Sequence, residues 1–188
     1  MGLRLIFLGP QGSGKGTQAS RLARLMGVPH ISTGDMLRQA VADATELGQK
    51  ADAIMKAGDL VPDDLVVAMV GERLAMDDAA CGYLLDGFPR NVVQARALDG
   101  VLADPLDAIV QLDVPHEELM SRMLLRAAAE GRADDTEEGI SRRLEIYWSE
   151  TAPLSDYYRD NSVVVYVVDG FGEIDEVTGR VALALAVE

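Results

Sequence analysis

The 188-residue sequence predicts an α/β fold, three layers deep, in which a mainly parallel five-stranded sheet is flanked by helices. Three observations carry this reading. Short runs of Val, Ile and Leu are near-continuously apolar, as strands covered on both faces require. Each is followed by a longer stretch of helical periodicity, the rhythm of right-handed β-α crossovers. The first apolar run leads straight into a glycine-rich turn, GPQGSGKGTQ (Gly9–Gln18), which opens a helix.

The elements follow in order. LRLIFLG (Leu3–Gly9) is the first strand, and Gly14–Met26 the helix after it. VPHIS (Val28–Ser32) adds a short fifth strand to the sheet. Helices are predicted over Gly34–Ala57, with a break near Thr45, and over Pro62–Met76. Strands Tyr83–Gly87, Ala108–Val114 and Val163–Asp169 alternate with helices Val92–Leu102, His116–Ala129 and Glu137–Tyr158, and a last helix spans Ile174–Val187. In such sheets ligands bind beyond the carboxyl ends of the strands. No repeat, low-complexity tract or linker divides the chain, so one domain is expected. Two segments stand outside the alternation: 32–61, which inserts helices between strands, and 129–138, a short polar stretch. They are read as covers over a core formed by 1–31, 62–128 and 139–188.

The formal net charge of −14 argues against nucleic acid or an anionic membrane as partner. No apolar run approaches the ~20 residues that span a bilayer. The N-terminal apolar run is too short for a signal peptide and reads as a strand, so the cytoplasm is expected. A single cysteine, Cys81, excludes an internal disulfide framework and a cysteine-based zinc site. Only three lysines are present, Lys15, Lys50 and Lys56, so arginines must supply most of any anion binding.

Gly9, Gly14 and Lys15 fit the phosphate-binding pattern G-x-x-x-x-G-K-[ST], but Gly16 stands where a hydroxyl is expected and Thr17 follows one residue late. Backbone N–H groups of Gly12, Ser13, Gly14, Lys15, Gly16 and Thr17 can converge on phosphate oxygens at a helix N-terminus. Lys15 adds a cation for the terminal phosphates. Asp86, ending an apolar strand in DGFPR, is a carboxylate that can hold Mg²⁺ through water. Gln94 lies one helical turn beyond Arg90 and can donate and accept at once, which suits an adenine edge.

The whole set resembles the nucleoside monophosphate kinases, and adenylate kinases of the short-lid form in particular. GPQGSGKGTQ, ISTGDMLR (Ile31–Arg38), GDLVPDDLV (Gly58–Val66), LLDGFPRNVVQA (Leu84–Ala95), GRADDTEEGISRRLEIY (Gly131–Tyr147) and TAPLSDYY (Thr151–Tyr158) occur in that family's order. The resemblance implies reversible transfer of the ATP γ-phosphoryl group to AMP, giving two ADP, with Mg²⁺ carried by the phosphates and no direct protein ligand. Asp86 and Thr17 would stand nearby. It implies an NMP-binding insertion at 32–61, a short lid at 129–138 without zinc, and a monomer. Thr33, Arg38, the backbone of Asp59, Leu60 and Val61, and Gly87, Phe88, Pro89, Arg90 and Gln94 would form the AMP site. Arg126 and Gly172 would meet ATP. Arg132 and Arg143 would contact the phosphates around the transferred group, with Asp134 and Asp135 orienting them.

Other residues read as structural. His30 and His116 lack ligand-like spacing, and Trp148 packs a helix. Arg122, Arg142 and Arg159 form a solvated charge run, and DGFG (Asp169–Gly172) merely closes the last strand. Gln11 replaces the small or proline residue common in the loop, with its side chain free to point outward. Ala127 replaces a frequent glycine. Thr33 and Gln94 favour AMP over the UMP/CMP kinase alternative, which usually carries Ala and Asn there. A GTP-dependent switch would need an N-K-x-D motif, which the chain lacks. A non-catalytic nucleotide-binding subunit would not need the lid arginines and Asp86.

Overall fold

In a computed structural model, which describes residues 2–102, 104–130 and 136–186, strand β1 (Arg4–Leu8) runs through the middle of a five-stranded sheet. The other strands are β2 (His30–Ser32), β3 (Tyr83–Asp86), β4 (Ala108–Asp113) and β5 (Val164–Asp169). Their order is β2-β3-β1-β4-β5, and every neighbouring pair is parallel. The expected three-layer α/β architecture is therefore present, and Val28–Ser32 does contribute its strand, at one edge.

Side chains alternate across β1, and both faces are covered. Leu5 and Phe7 pack with Leu84, Val110 and Leu112 against α1 (Lys15–Met26) and α9 (Ile174–Leu185), through Leu22, Val177 and Val181. Ile6 and Leu8 face the other way, onto a core shared with α4 (Asp63–Leu74), α5 (Val92–Val101) and α8 (Leu154–Asp160). Period-two alternation between two buried faces leaves no polar position, which is why the strands read as apolar runs. Each such Leu or Ile contributes ~1.5–3 kcal/mol by leaving water.

The expected helix Gly34–Ala57 is two helices, α2 (Thr33–Ala42) and α3 (Glu46–Ala57), broken where anticipated. Ala44 has φ 51°, and the Thr45 hydroxyl oxygen accepts from the Gly48 N–H at 3.1 Å to cap α3. Two further helices complete the set, α6 (His116–Glu130) and α7 (Glu137–Ile146).

The single helix expected over Glu137–Tyr158 is not formed. After α7 comes a wide turn, Tyr147–Thr151, and only then α8. Pro153 is the cause: it has no N–H for the Ser149 carbonyl, and its ring crowds the turn before it. The ladder widens instead, with the Ala152 N–H reaching the Tyr147 carbonyl at 2.8 Å. This widening brings the Thr151 hydroxyl onto the Arg90 carbonyl at 2.7 Å, so a local backbone defect braces the DGFPR turn. Among the described residues no helix is long and apolar enough to cross a membrane.

Candidate active site

A cleft of about 830 Å³ opens beyond the carboxyl ends of β1, β2 and β3. Its floor is the glycine loop joining β1 to α1. Gly12 has φ +83°, and a Cβ there would stand 2.8 Å from the Leu119 carbonyl oxygen, so the loop can pass under α6 only as glycine. The Ser13 hydroxyl is buried with no hydrogen-bond partner among the described residues. Lys15, at the start of α1, folds back so that its Nζ donates to the Pro10 carbonyl at 2.9 Å. Desolvation lowers its pKa from 10.5 to about 8; Asp86 opposes the shift, and the Arg90 and Arg126 cations add to it.

Gly16 now has a steric explanation. A Cβ at this position would lie 3.3 Å from Asp86 Oδ2, closer than a methylene and an oxygen comfortably sit. The residue that departs from G-K-[ST] makes room for the carboxylate at the end of β3. Asp86 is buried, and parallel pairing sets it beside Ser32. His30, two residues back on β2, points its buried Nε2 to within 3.6 Å of Asp86 Oδ2, without a hydrogen bond. Thr17, one residue past Gly16, is exposed.

The opposite wall is DGFPR. Gly87 has φ +80°, and its carbonyl accepts from the Thr33 hydroxyl at 2.9 Å and from Arg90 Nε at 2.8 Å. Burial lowers the Arg90 pKa; Asp86 opposes this, and Arg143 and Arg38 reinforce it. The Phe88–Pro89 bond is cis, and the Phe88 side chain belongs to the hydrophobic core rather than to the cleft. Any contribution of Phe88 to a ligand must come through its backbone. Gln94 is 1% exposed; its Oε1 accepts from the Arg90 N–H at 2.8 Å and its Nε2 donates to Asp63 at 2.7 Å.

The remaining predicted residues fall as follows. Arg38, Asp59, Leu60, Val61, Arg126, Arg143 and Gly172 all line the same cleft. Arg38 is paired with Asp35, and the Asp59 carboxylate receives Arg142 Nε at 2.9 Å. Arg132, Asp134 and Asp135 lie outside the described residues. Arg159 is exposed and paired with Asp156, as a solvated arginine should be.

Three residues set aside on sequence grounds belong to the cleft. Arg122 lines it, donating through Nε to Glu118 at 2.7 Å and through Nη1 to the Gly170 carbonyl at 3.2 Å. Gln11 does not point outward: its Oε1 accepts from Arg143 Nη1 at 3.0 Å, tying the loop to α7. His30 is the third. Local spacing marks neither Gln11 nor His30, because each meets its neighbour, Arg143 or Asp86, from an element distant in sequence. For Arg122 one signal was available: it sits four residues, one helical turn, before Arg126 on α6.

Among the described residues, six cations thus converge in a chain of net charge −14: Lys15, Arg38, Arg90, Arg122, Arg126 and Arg143 all line this one cleft. Comparison with known proteins agrees with that concentration of positive charge around a glycine loop. The family model described as adenylate kinase matches residues 7–163. The chain belongs to the adenylate kinase family. It is 51% identical over 186 residues to an adenylate kinase of Stenotrophomonas maltophilia (strain R551-3), an alignment covering 97% of this chain and 99% of the relative. Adenylate kinases of Xanthomonas euvesicatoria pv. vesicatoria (strain 85-10), 50% identical, and Xylella fastidiosa (strain M12), 48% identical, align over the same shares.

Adenylate kinases work on Mg²⁺-bound ATP, and the cleft fits that partner. Among the described residues no three His, Cys, Asp or Glu side chains gather as a cage. Asp86 is instead one buried carboxylate, pressed against Gly16 and next to the lysine of the phosphate loop. A cation carried by phosphates and held to Asp86 through water suits this donor set.

Proposed function

We propose that the chain catalyses reversible γ-phosphoryl transfer between Mg·ATP and AMP, giving Mg·ADP and ADP. The observation that carries the proposal is one continuous cleft. It reaches from Gly172 past the glycine loop to Thr33 and Gln94, with Lys15, Arg90 and Arg143 along it. Two nucleotides bound end to end would meet at those cations.

ATP takes the Gly172 side. Its phosphates rest on the N–H groups of Gly12 to Thr17, with Arg126 and Lys15 on their oxygens. AMP takes the other side. Its base lies by Thr33 and Gln94, the backbone of Asp59, Leu60, Val61, Gly87, Phe88 and Pro89 lines its site, and Arg38 and Arg90 hold its phosphate. An AMP phosphate oxygen forms the new bond to Pγ, and the bond from Pγ to the bridging oxygen breaks, its electron pair leaving with ADP. No side chain forms a covalent intermediate; alignment and charge stabilisation supply the acceleration. Arg132 and Arg143 hold the oxygens of the group in flight. Asp86, near Thr17, would hold through water the Mg²⁺ that arrives with ATP, whose charge would offset part of the negative charge on the transferring group. The lid at 129–138 and the insertion at 32–61 close on the core to exclude water, which would otherwise take the phosphoryl group. The working species is a monomer in the cytoplasm, handling nucleotides and neither nucleic acid nor membrane.

The test is an acceptor panel. Purified protein with Mg·ATP should phosphorylate AMP far faster than CMP, UMP or GMP. Preference for another base, or no transfer, would overturn the assignment. A pyrimidine preference would return the UMP/CMP kinase reading.

A further inference from the structure

Beside the AMP end of the cleft lies a closed hydrogen-bond chain whose every direction is dictated by groups that cannot reverse. The Gln94 backbone N–H can only donate, and it does so to Asn91 Oδ1 at 2.8 Å. The Asn91 amide is thereby oriented, and its Nδ2 faces Asp63, donating to both carboxylate oxygens at 3.1 and 3.3 Å. A carboxylate accepts, and Asp63 Oδ1 also accepts from Gln94 Nε2 at 2.7 Å. The Arg90 backbone N–H can only donate, and it takes Gln94 Oε1 at 2.8 Å. The Gln94 amide is thus pinned at both ends, at 1% exposure, in a residue that lines the cleft.

We propose that Asp63 is a specificity-determining residue: together with the Arg90 backbone N–H it fixes which end of the Gln94 amide carries N–H, and so selects a 6-amino purine over a 6-oxo purine. The inference rests on the reading that Gln94 meets the AMP base. Each amide atom retains capacity for one more hydrogen bond, one N–H on Nε2 and one lone pair on Oε1. Adenine offers an N6–H donor and an N1 acceptor. Hypoxanthine offers the reverse, an O6 acceptor and an N1–H donor, on a ring of the same shape. A freely turning glutamine would serve both by rotating its amide half a turn. A pinned one serves one pattern and leaves a buried mismatch with the other, which is where discrimination by hydrogen bonding is strongest. Asp63 comes from the first turn of α4, and Gln94 from α5, so two helices must dock for the selection to exist.

The experiment compares kcat/KM for AMP and for inosine monophosphate, with ATP as donor, in the parent protein and in Asp63→Asn and Asp63→Ser. Asparagine keeps the size but can donate as well as accept, so it lifts the constraint at the Nε2 end and leaves the amide held by the Arg90 N–H alone. The AMP:IMP ratio is expected to fall by about tenfold or more, through a lower KM for IMP, with the KM for ATP unchanged. An unchanged ratio, with both nucleotides losing the same factor, would reduce Asp63 to a helix-end support and overturn the proposal. So would a parent protein that uses IMP as well as AMP. Gln94→Ala separates the two layers of the argument. If its KM for AMP equals the parent's, the base-contact reading itself fails, whatever Asp63 does.

Discussion

The two ends of the cleft are built from different materials. At the phosphate end, the glycine loop offers backbone N–H groups and a crowd of cations, among which burial and neighbouring positive charge pull down the pKa values of Lys15 and Arg90. At the other end, the Thr33 hydroxyl donates to the Gly87 carbonyl, and Gln94, Asn91 and Asp63 are linked by neutral or single-carboxylate hydrogen bonds, each with its direction fixed. The first region concentrates positive charge and suits an anion. The second is oriented in advance and can accept or reject a hydrogen-bond pattern. Rate should therefore be lost at the first and selectivity at the second.

The largest expected effect tests the strained end. Lys15→Met should lower turnover by about 10²–10³-fold, the scale of losing one charge-stabilising group. It should also raise the melting temperature at pH 7. The sign follows from the shift: the folded pKa of about 8 lies below 10.5, so holding this lysine charged costs the empty protein stability at neutral pH. A lower melting temperature would mean that the cation cluster is structural rather than strained.

Gly16→Thr restores the common loop spelling and should cost about tenfold in turnover, because its Cβ would arrive 3.3 Å from Asp86 Oδ2 and displace the carboxylate. ATP binding without Mg²⁺, read by calorimetry, should change little, since it rests on backbone and Lys15. Higher activity than the parent would show that Gly16 is not making room for Asp86.

The smallest effect is a fraction of a proton. A triphosphate beside Lys15 raises its pKa again, so ATP binding between about pH 8 and 10 should take up a proton, and affinity should fall as pH rises above 8. Calorimetry in two buffers of different ionisation heat measures the uptake. No uptake at pH 8.5 would place Lys15 away from the phosphates. In the empty protein the same group adds stability as pH climbs from 8 toward 10.5, since the unfolded chain then binds more protons.

Much of this molecule was legible in the order of its residues. Apolar runs, helical periods and the Gly9–Gln18 loop were enough for the α/β fold, because a parallel strand covered on both faces can be built in few other ways. Gly12, Lys15, Asp86, Arg90 and Gln94 stood out because each sits within a few residues of a strand end or helix start whose geometry is local. Pro153 is equally visible in the sequence, but the break it forces falls inside a helical period that continues on both sides of it.

What tertiary structure alone decided is partnership. Gln11 reaches Arg143 across 132 positions, Asp63 reaches Gln94 across 31, and His30 meets Asp86 only because β2 and β3 pair in one register. Local spacing carries no trace of such meetings, since hydrogen bonds and charge interactions fall off within a few ångströms in space and not along the chain. The sequence by itself determined that a phosphate loop would face a strand-end carboxylate. The fold decided that Gly16 leaves room beside that carboxylate, and which way the Gln94 amide points.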